Sequence, residues 1–108
     1  MHYVFDIDGT ICTHTSSDTP YEKAEPVVER IQKINNLFNE GHIVIFHTAR
    51  GMGTFKNDPI KAHDKYYWLT YDQLNKWGVK FHKLIMGKPS GDLYIDDKGV
   101  KDEEFFGN

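Results

Sequence analysis

The 108-residue sequence has a single cysteine, Cys12. That excludes an intramolecular disulfide and fits a reducing compartment. No neighbour in sequence would lower the pKa of the Cys12 thiol, so a reactive cysteine is not expected. Long hydrophobic runs are also missing, and nothing approaches the roughly 20 apolar residues of a membrane-crossing helix. No charged leader with a cleavage site precedes the first apolar segment, so a cytoplasmic location is the expectation. Charge of one sign is absent too. Thirteen Lys and Arg stand against sixteen Asp and Glu, a net charge of -3, with the two signs interspersed. Neither a nucleic-acid backbone nor a membrane is expected as a partner. The length allows a single domain, residues 1–108, with one core and no room for an inserted lid or cap domain. Internal repeats, low-complexity tracts and linkers are lacking as well.

What the chain does have begins almost at its start. Tyr3-Val4-Phe5-Asp6-Ile7-Asp8-Gly9-Thr10 is a short apolar run that carries two carboxylates into a glycine turn. On a strand Asp6 and Asp8 share a face, about 7 Å apart along the chain. Brought to ~4 Å, two such charges would repel by about 4 kcal/mol at an effective dielectric of ~20, so a cation or a proton is expected between them. A plain turn ending a strand, with both carboxylates solvated, is the simpler reading of Asp8-Gly9. An EF-hand does not fit, because its glycine is the sixth residue of the loop, whereas Gly9 follows Asp6 by three.

Residues 11–20 are dense in turn formers and predict an exposed loop beside the carboxylates, with His14 solvated. From Pro26 to Glu40, Val27, Val28, Ile31, Ile34, Leu37 and Phe38 recur at helical spacing, with Pro26 suited to a first turn and Gly41 to a stop. Ile43-Val44-Ile45-Phe46 reads as a parallel strand covered on both faces. It ends in His47-Thr48-Ala49-Arg50-Gly51, and a crossover connection would bring Thr48 and Arg50 to the edge that holds Asp6 and Asp8. His47 alternates away from Thr48 and is expected to be packed rather than catalytic. Residues 51–58 predict a loop, and Asp58-Pro59 a helix start. The helical pattern runs to about Trp68, where Thr70-Tyr71-Asp72-Gln73 has capping-box form and predicts a break before a second short helix to Trp77. Tyr67, Tyr71, Leu74 and Trp77 form a core stripe. Val79-Lys80-Phe81-His82 and Lys83-Leu84-Ile85-Met86 predict a third strand or strand pair, closed by Gly87-Lys88-Pro89-Ser90-Gly91. Asp92-Leu93-Tyr94-Ile95-Asp96-Asp97-Lys98-Gly99 repeats the opening design, a short apolar strand ending in carboxylates and a glycine. Phe105-Phe106 anchors the acidic tail.

One sheet edge would thus collect Asp6, Asp8, Thr48, Arg50, Lys88, Asp96 and Asp97, and open α/β sheets bind ligands at that edge. Carboxylate oxygens without a Cys or His cluster favour Mg²⁺ over Zn²⁺, and a cation, a hydroxyl, a lysine and an arginine around one point describe a phosphate site. A carboxylate becomes a phosphoryl acceptor when its geometry is fixed and positive charge offsets the phosphate.

The order Asp6-Ile7-Asp8-Gly9-Thr10, an apolar strand to Thr48, Lys88-Pro89, then an apolar strand to Asp96-Asp97 resembles the four signature motifs of the haloacid dehalogenase superfamily of phosphohydrolases. It is most similar to the small capless members, some of them linked to capsular and other polysaccharide biosynthesis. Residues 91–97 are also similar to the last motif of the deoxyribonucleotidases, which carry a helical cap this chain lacks. The resemblance implies a three-layer, Rossmann-like parallel sheet with flanking helices and no cap. It implies a Mg²⁺-dependent phosphomonoesterase in which Asp6 is the nucleophile and Asp8 the general acid/base. Thr48 and Lys88 would hold the phosphoryl group, with Ala49 and Arg50 assigned to the same role, although Arg50 pairing with an acidic residue is the other reading. Mg²⁺ would take Asp6, the Asp8 carbonyl and Asp97, with Asp96 as second choice. The implied substrate is a phosphorylated small molecule such as a sugar phosphate. Other readings are a phosphotransferase, nucleotidase or polynucleotide phosphatase of the same superfamily, a receiver-like phosphoacceptor, or a binding module without catalysis. An open site calls for a large substrate, a covering loop from residues 11–20 or 51–58, or a homo-oligomer that covers it.

Overall fold

Residues 1–16 and 18–107 are described by a computed structural model. Ser17, within the expected loop 11–20, and Asn108 lie outside the described residues. The element order is strand β1 (His2–Phe5), a 3₁₀ turn (Tyr21–Lys23), helix α1 (Val28–Asn39), strand β2 (Ile43–Thr48), helix α2 (Pro59–Lys76), strand β3 (Lys83–Met86) and helix α3 (Asp102–Phe106). The three strands form one parallel sheet in the order β1-β2-β3. The fold is thus a small α/β domain with flanking helices. Its radius of gyration, 13.4 Å, is that of a compact chain of this length.

Each crossover helix forms where its apolar stripe requires it. In α1 the buried residues are Ile31 and Ile34, one turn apart, and the helix stops before Gly41, whose φ of +96° is open to glycine at little cost. Pro26, expected in the first helical turn, instead pairs with Cys12 in an isolated bridge. In α2 the Asp58 carboxylate accepts hydrogen bonds from the Ile60 and Lys61 amides, and Pro59 occupies the first turn, where it needs no donor. The break expected near Thr70 does not occur. α2 is continuous, because Thr70 is fully buried on the same stripe as Ala62 and Leu74.

Three expectations about the sheet are corrected. First, β2 alternates: Val44, Phe46 and Thr48 are buried, while Ile43, Ile45 and His47 are half-exposed. Phe5, Phe46, Leu84 and Met86 join the helix residues Ile31, Ile34 and Leu74 in one core. The opposite sheet face leaves Val4 and Ile85 exposed. Helices therefore pack on one face, and the expected three-layer arrangement is not formed within the described residues. Second, only Lys83–Met86 of the expected strand pair is a strand. Residues 80–82 are irregular, with the His82 amide donating to the Val44 carbonyl and the His82 ring accepting from the Val44 amide. Third, Asp92–Ile95 is not a strand. Residues 91–100 are all exposed, with Leu93 at 80% and Ile95 at 91%. Only five residues, Gly87 to Gly91, separate this segment from β3, whereas returning a chain to pair in parallel takes a dozen or more.

The tail is anchored as expected. Phe105 lies edge-on to Tyr3 and Phe5, Phe106 stacks on Phe5, and Arg30 bonds Asp102 at 2.6 Å.

Candidate active site

β1 and β2 run in register, Phe5 beside Phe46, so Asp6 follows beside His47 at the C-terminal edge. Strand alternation then places Asp6 and His47 on the open face, and Ile7 and Thr48 toward the core. Ile7 and Thr48 are both fully buried. Gly9 turns the chain with φ +79°, and the His14 ring lies so close over it that an added Cβ would collide with the imidazole. His14, expected to be solvated, is exposed on one side and covers the turn on the other.

Asp6 has one cationic neighbour at contact range. Lys88 Nζ is 3.9 Å from its Oδ2, and both side chains are partly exposed. The Lys88 amide donates to the Thr48 carbonyl, which extends the sheet ladder by one bond and fixes where the lysine starts. Burial raises the Asp6 pKa above the usual carboxylate range. Lys88, the Ile7 amide and His47 oppose the rise, while the charge of Asp8 adds to it. Burial and the charge of Lys88 lower the His47 pKa, against the pull of Asp6. His47 therefore stands beside Asp6 on the open face of the sheet. Alternation read from the sequence had set it apart from Thr48, and it is this same alternation that puts it with Asp6.

Arg50 and Asp8 form a second cluster below the first. Arg50 is fully buried and grips the Asp8 carboxylate with two bonds, Nε to Oδ2 at 3.0 Å and Nη2 to Oδ1 at 2.9 Å. Its Nη1 donates to Gln73 Oε1 at 2.6 Å and to Thr70 Oγ1 at 3.3 Å. The guanidinium carbon sits 4.8 Å from the centre of the Tyr21 ring. Tyr21 in turn accepts from the Gly51 amide and, through its carbonyl, from Gln73 Nε2. This corrects the expectation that Arg50 grips phosphate: the guanidinium belongs to Asp8. Tyr21, Thr70 and Gln73 are parts of this cluster that the sequence did not connect with Arg50, since they lie 29, 20 and 23 positions from it, and Thr70 and Gln73 stood out only as a capping pattern.

Thr48 and Ala49 differ from expectation in the same direction. The Thr48 hydroxyl is buried and accepts from the Arg50 amide at 3.1 Å, and the Ala49 carbonyl accepts from the Met52 amide. Cys12 is buried, its thiol donates toward Asp8 Oδ1 at 3.5 Å, and burial with the charge of Asp8 pushes its pKa up to about 12. Its burial is that of a packing residue.

Asp96 and Asp97 stand on the exposed segment beyond β3. The Asp96 carboxylate accepts from the Lys98 and Gly99 amides, which holds its pKa below the usual value. Tyr94 folds back over Lys88, with Nζ 4.3 Å from its ring centre, and bonds the Pro89 carbonyl and the Gly91 amide. Among the described residues no three His, Cys, Asp or Glu side chains converge. Of the groups expected to hold Mg²⁺, Asp6 and the Asp8 carbonyl are at the edge, the Asp8 carboxylate is held by Arg50, and Asp97 lies on the exposed segment beyond β3. The site is open. Two shallow surface depressions are lined by other residues, one by Pro59, Ile60, His63, Asp64 and Met86 and the other by residues of the 3₁₀ turn and the end of α2. No helix of the described residues is long and apolar enough to cross a membrane.

No protein-family model matches the chain, and no curated protein matches it. Among solved structures, the crystal structure of a target protein from Vibrio cholerae superposes with a TM-score of 0.87 at 27% identity, over 97% of this chain and 86% of that one. This chain is therefore similar in fold, nearly end to end, to that α/β protein.

Proposed function

We propose that the chain is a phosphomonoester hydrolase of the haloacid dehalogenase type, with Asp6 as the phosphoryl acceptor. The observation that carries the reading is the pairing of Asp6 with Lys88 at the C-terminal edge of a parallel sheet, on its open side. The resemblance of Asp6-Ile7-Asp8-Gly9-Thr10 and Lys88-Pro89 to the superfamily's motifs supports it.

An Asp6 carboxylate oxygen attacks phosphorus, the bond from phosphorus to the ester oxygen breaks, and the leaving oxygen takes a proton. Water then attacks the aspartyl-phosphate, releasing inorganic phosphate and restoring Asp6. Lys88 offsets charge on the transferring group and on Asp6, and the fixed strand end orients the nucleophile. Asp8 is the proposed proton donor and acceptor, two residues along the chain. Arg50 holds both of its oxygens, so proton transfer requires one of them to turn from the guanidinium to the substrate. Thr48 shapes the edge from beneath through its bond to the Arg50 amide. Phosphotransfer to a different acceptor would use the same first half-reaction. The open edge suits a phosphorylated small molecule, such as a sugar phosphate, whose non-reacting part extends into solvent.

The test is phosphate release from p-nitrophenyl phosphate and a panel of sugar phosphates by the wild type and Asp6→Asn, with and without added Mg²⁺. Release by the wild type and a loss of at least about a hundredfold in the variant are expected. Turnover by Asp6→Asn at the wild-type rate would refute the nucleophile assignment.

A further inference from the structure

In its own chain the segment Asp92–Ile95 has the pattern of a strand without a partner, and β1 is a strand with one side unpaired. Leu93, Tyr94 and Ile95 are 80%, 55% and 91% exposed. Leu93 and Ile95 leave large apolar surface in solvent, a liability that folded chains cover, while Tyr94 rests on Lys88 and bonds Pro89 and Gly91. β1 pairs only with β2, so its other edge presents free backbone groups over His2–Phe5 among the described residues. Val4, on the open face, is 61% exposed. A strand beside β1, parallel to it, would satisfy both and would end with Asp96 and Asp97 at the edge that holds Asp6.

The chain cannot make that pairing with itself. β3 ends at the C-terminal edge, a parallel strand must begin at the opposite edge on the far side of β1, and five residues connect the two. A return of this kind takes about a dozen or more. An antiparallel placement would need no return, but it would carry Asp96 and Asp97 away from Asp6. A second copy removes the constraint, because its segment reaches the β1 edge from outside.

We propose that the chain forms a dimer by exchanging residues 92–107, with Gly87–Gly91 as the hinge. The exchanged unit includes α3, which already docks against Tyr3 and Phe5 of β1 and against Arg30 of α1, at the side where the free edge lies. In the dimer the same contacts are made by the α3 of the second copy, as exchange of an identical element requires. The strand preceding it, stranded in one chain, then lies along β1. The hinge suits this exchange, since Gly87 turns the chain with φ +91° and Pro89 fixes its own φ. Insofar as it concerns the site, the proposal rests on the reading of Asp6 as phosphoryl acceptor: each site would combine Asp6, Asp8 and Lys88 of one copy with the Asp96-Asp97 pair of the other.

The experiment is sedimentation equilibrium of the purified full chain from about 5 to 100 µM, and it does not depend on any activity. A mass near 25 kDa is expected, twice the 12.6 kDa of the chain. Leu93→Asp/Ile95→Asp should sediment at the monomer mass with an unchanged circular dichroism spectrum, since both side chains are exposed in the single chain. Inserting about fourteen Gly and Ser residues after Ser90 gives the segment the length to return to its own β1 and should also yield monomer. That second variant decides the matter if the charged one fails to fold. A wild type that sediments at 12.6 kDa throughout, or a dimer that persists after the insertion, would overturn the exchange. Dimer for the wild type with phosphatase activity absent would leave the exchange standing and count against the catalytic reading alone.

Discussion

Asp6 is held at a cost to the fold. Its carboxylate is partly withdrawn from water and its pKa is raised, chiefly by that burial. A carboxyl with a folded pKa above its unfolded value binds protons more tightly in the native state, so ionising it penalises the fold. The penalty is full above the folded pKa and disappears as pH falls below the unfolded value near 3.8. Asp6→Asn should therefore raise the melting temperature at pH 7, with the gain shrinking toward pH 4. Thermal melts of the two proteins at both pH values check this, and a variant less stable than wild type at pH 7 would contradict it. Together with lost turnover, that result is the stability and activity trade-off expected at a site. Sequence made Asp6 legible because strand, acid and glycine are neighbours in the chain. His47 was visible only as a histidine on a strand, since its partner is forty-one positions away and strand register decides that the two meet.

At the scale of elements, Arg50 is the side chain that ties the end of β2 to the β1 turn, to α2 and to the 3₁₀ turn through Asp8, Thr70, Gln73 and Tyr21. A fully buried guanidinium is kept only if its donors and charge are matched, and removing one partner strands the rest. Arg50→Ala should lower stability by about 3 kcal/mol or more, read from urea unfolding, because it leaves Asp8 unpaired and opens a cavity under Tyr21. A loss below ~1 kcal/mol would show that the cluster is not structural. The sequence carried both readings of Arg50, phosphate grip or ion pair, and the fold selects the ion pair because β2 places the side chain inward, where no ligand reaches it. The same inward direction takes the Thr48 hydroxyl. Helix α2 shows the converse limit: Thr70-Tyr71-Asp72-Gln73 has a capping pattern, yet the burial of Thr70 on the core stripe lets the helix continue through it.

At the scale of the molecule, one chain presents an unpaired side of β1 and an exposed apolar segment, and in the proposed dimer a second copy covers both. If the sites are shared, two inactive chains complement each other. Asp6→Asn and Asp97→Asn, unfolded and refolded together in equal amounts, should recover about a quarter of wild-type turnover. Half of the dimers formed at random are mixed, and in each of those one site of two is intact. Each variant alone should stay near background. No recovery from a mixture proven to contain mixed dimers would place Asp97 and Asp6 in the same chain's site or remove Asp97 from the site.

By itself the sequence determined the elements to within a residue or two: a first strand leading into Asp6, a helix read as Pro26–Glu40 and found at Val28–Asn39, a second strand to Thr48, a capped helix from Asp58, and a strand to Met86. It did so because periodicity, caps and glycine stops are local, set by residues within a turn or two of each other. Only the tertiary structure decided which polar residues meet. The inward or outward direction of Thr48, Arg50 and His47 depends on the face of β2 that the helices cover. The failure of Asp92–Ile95 to join the sheet depends on a path length between two edges, and the spacing of motifs along a sequence does not measure that distance.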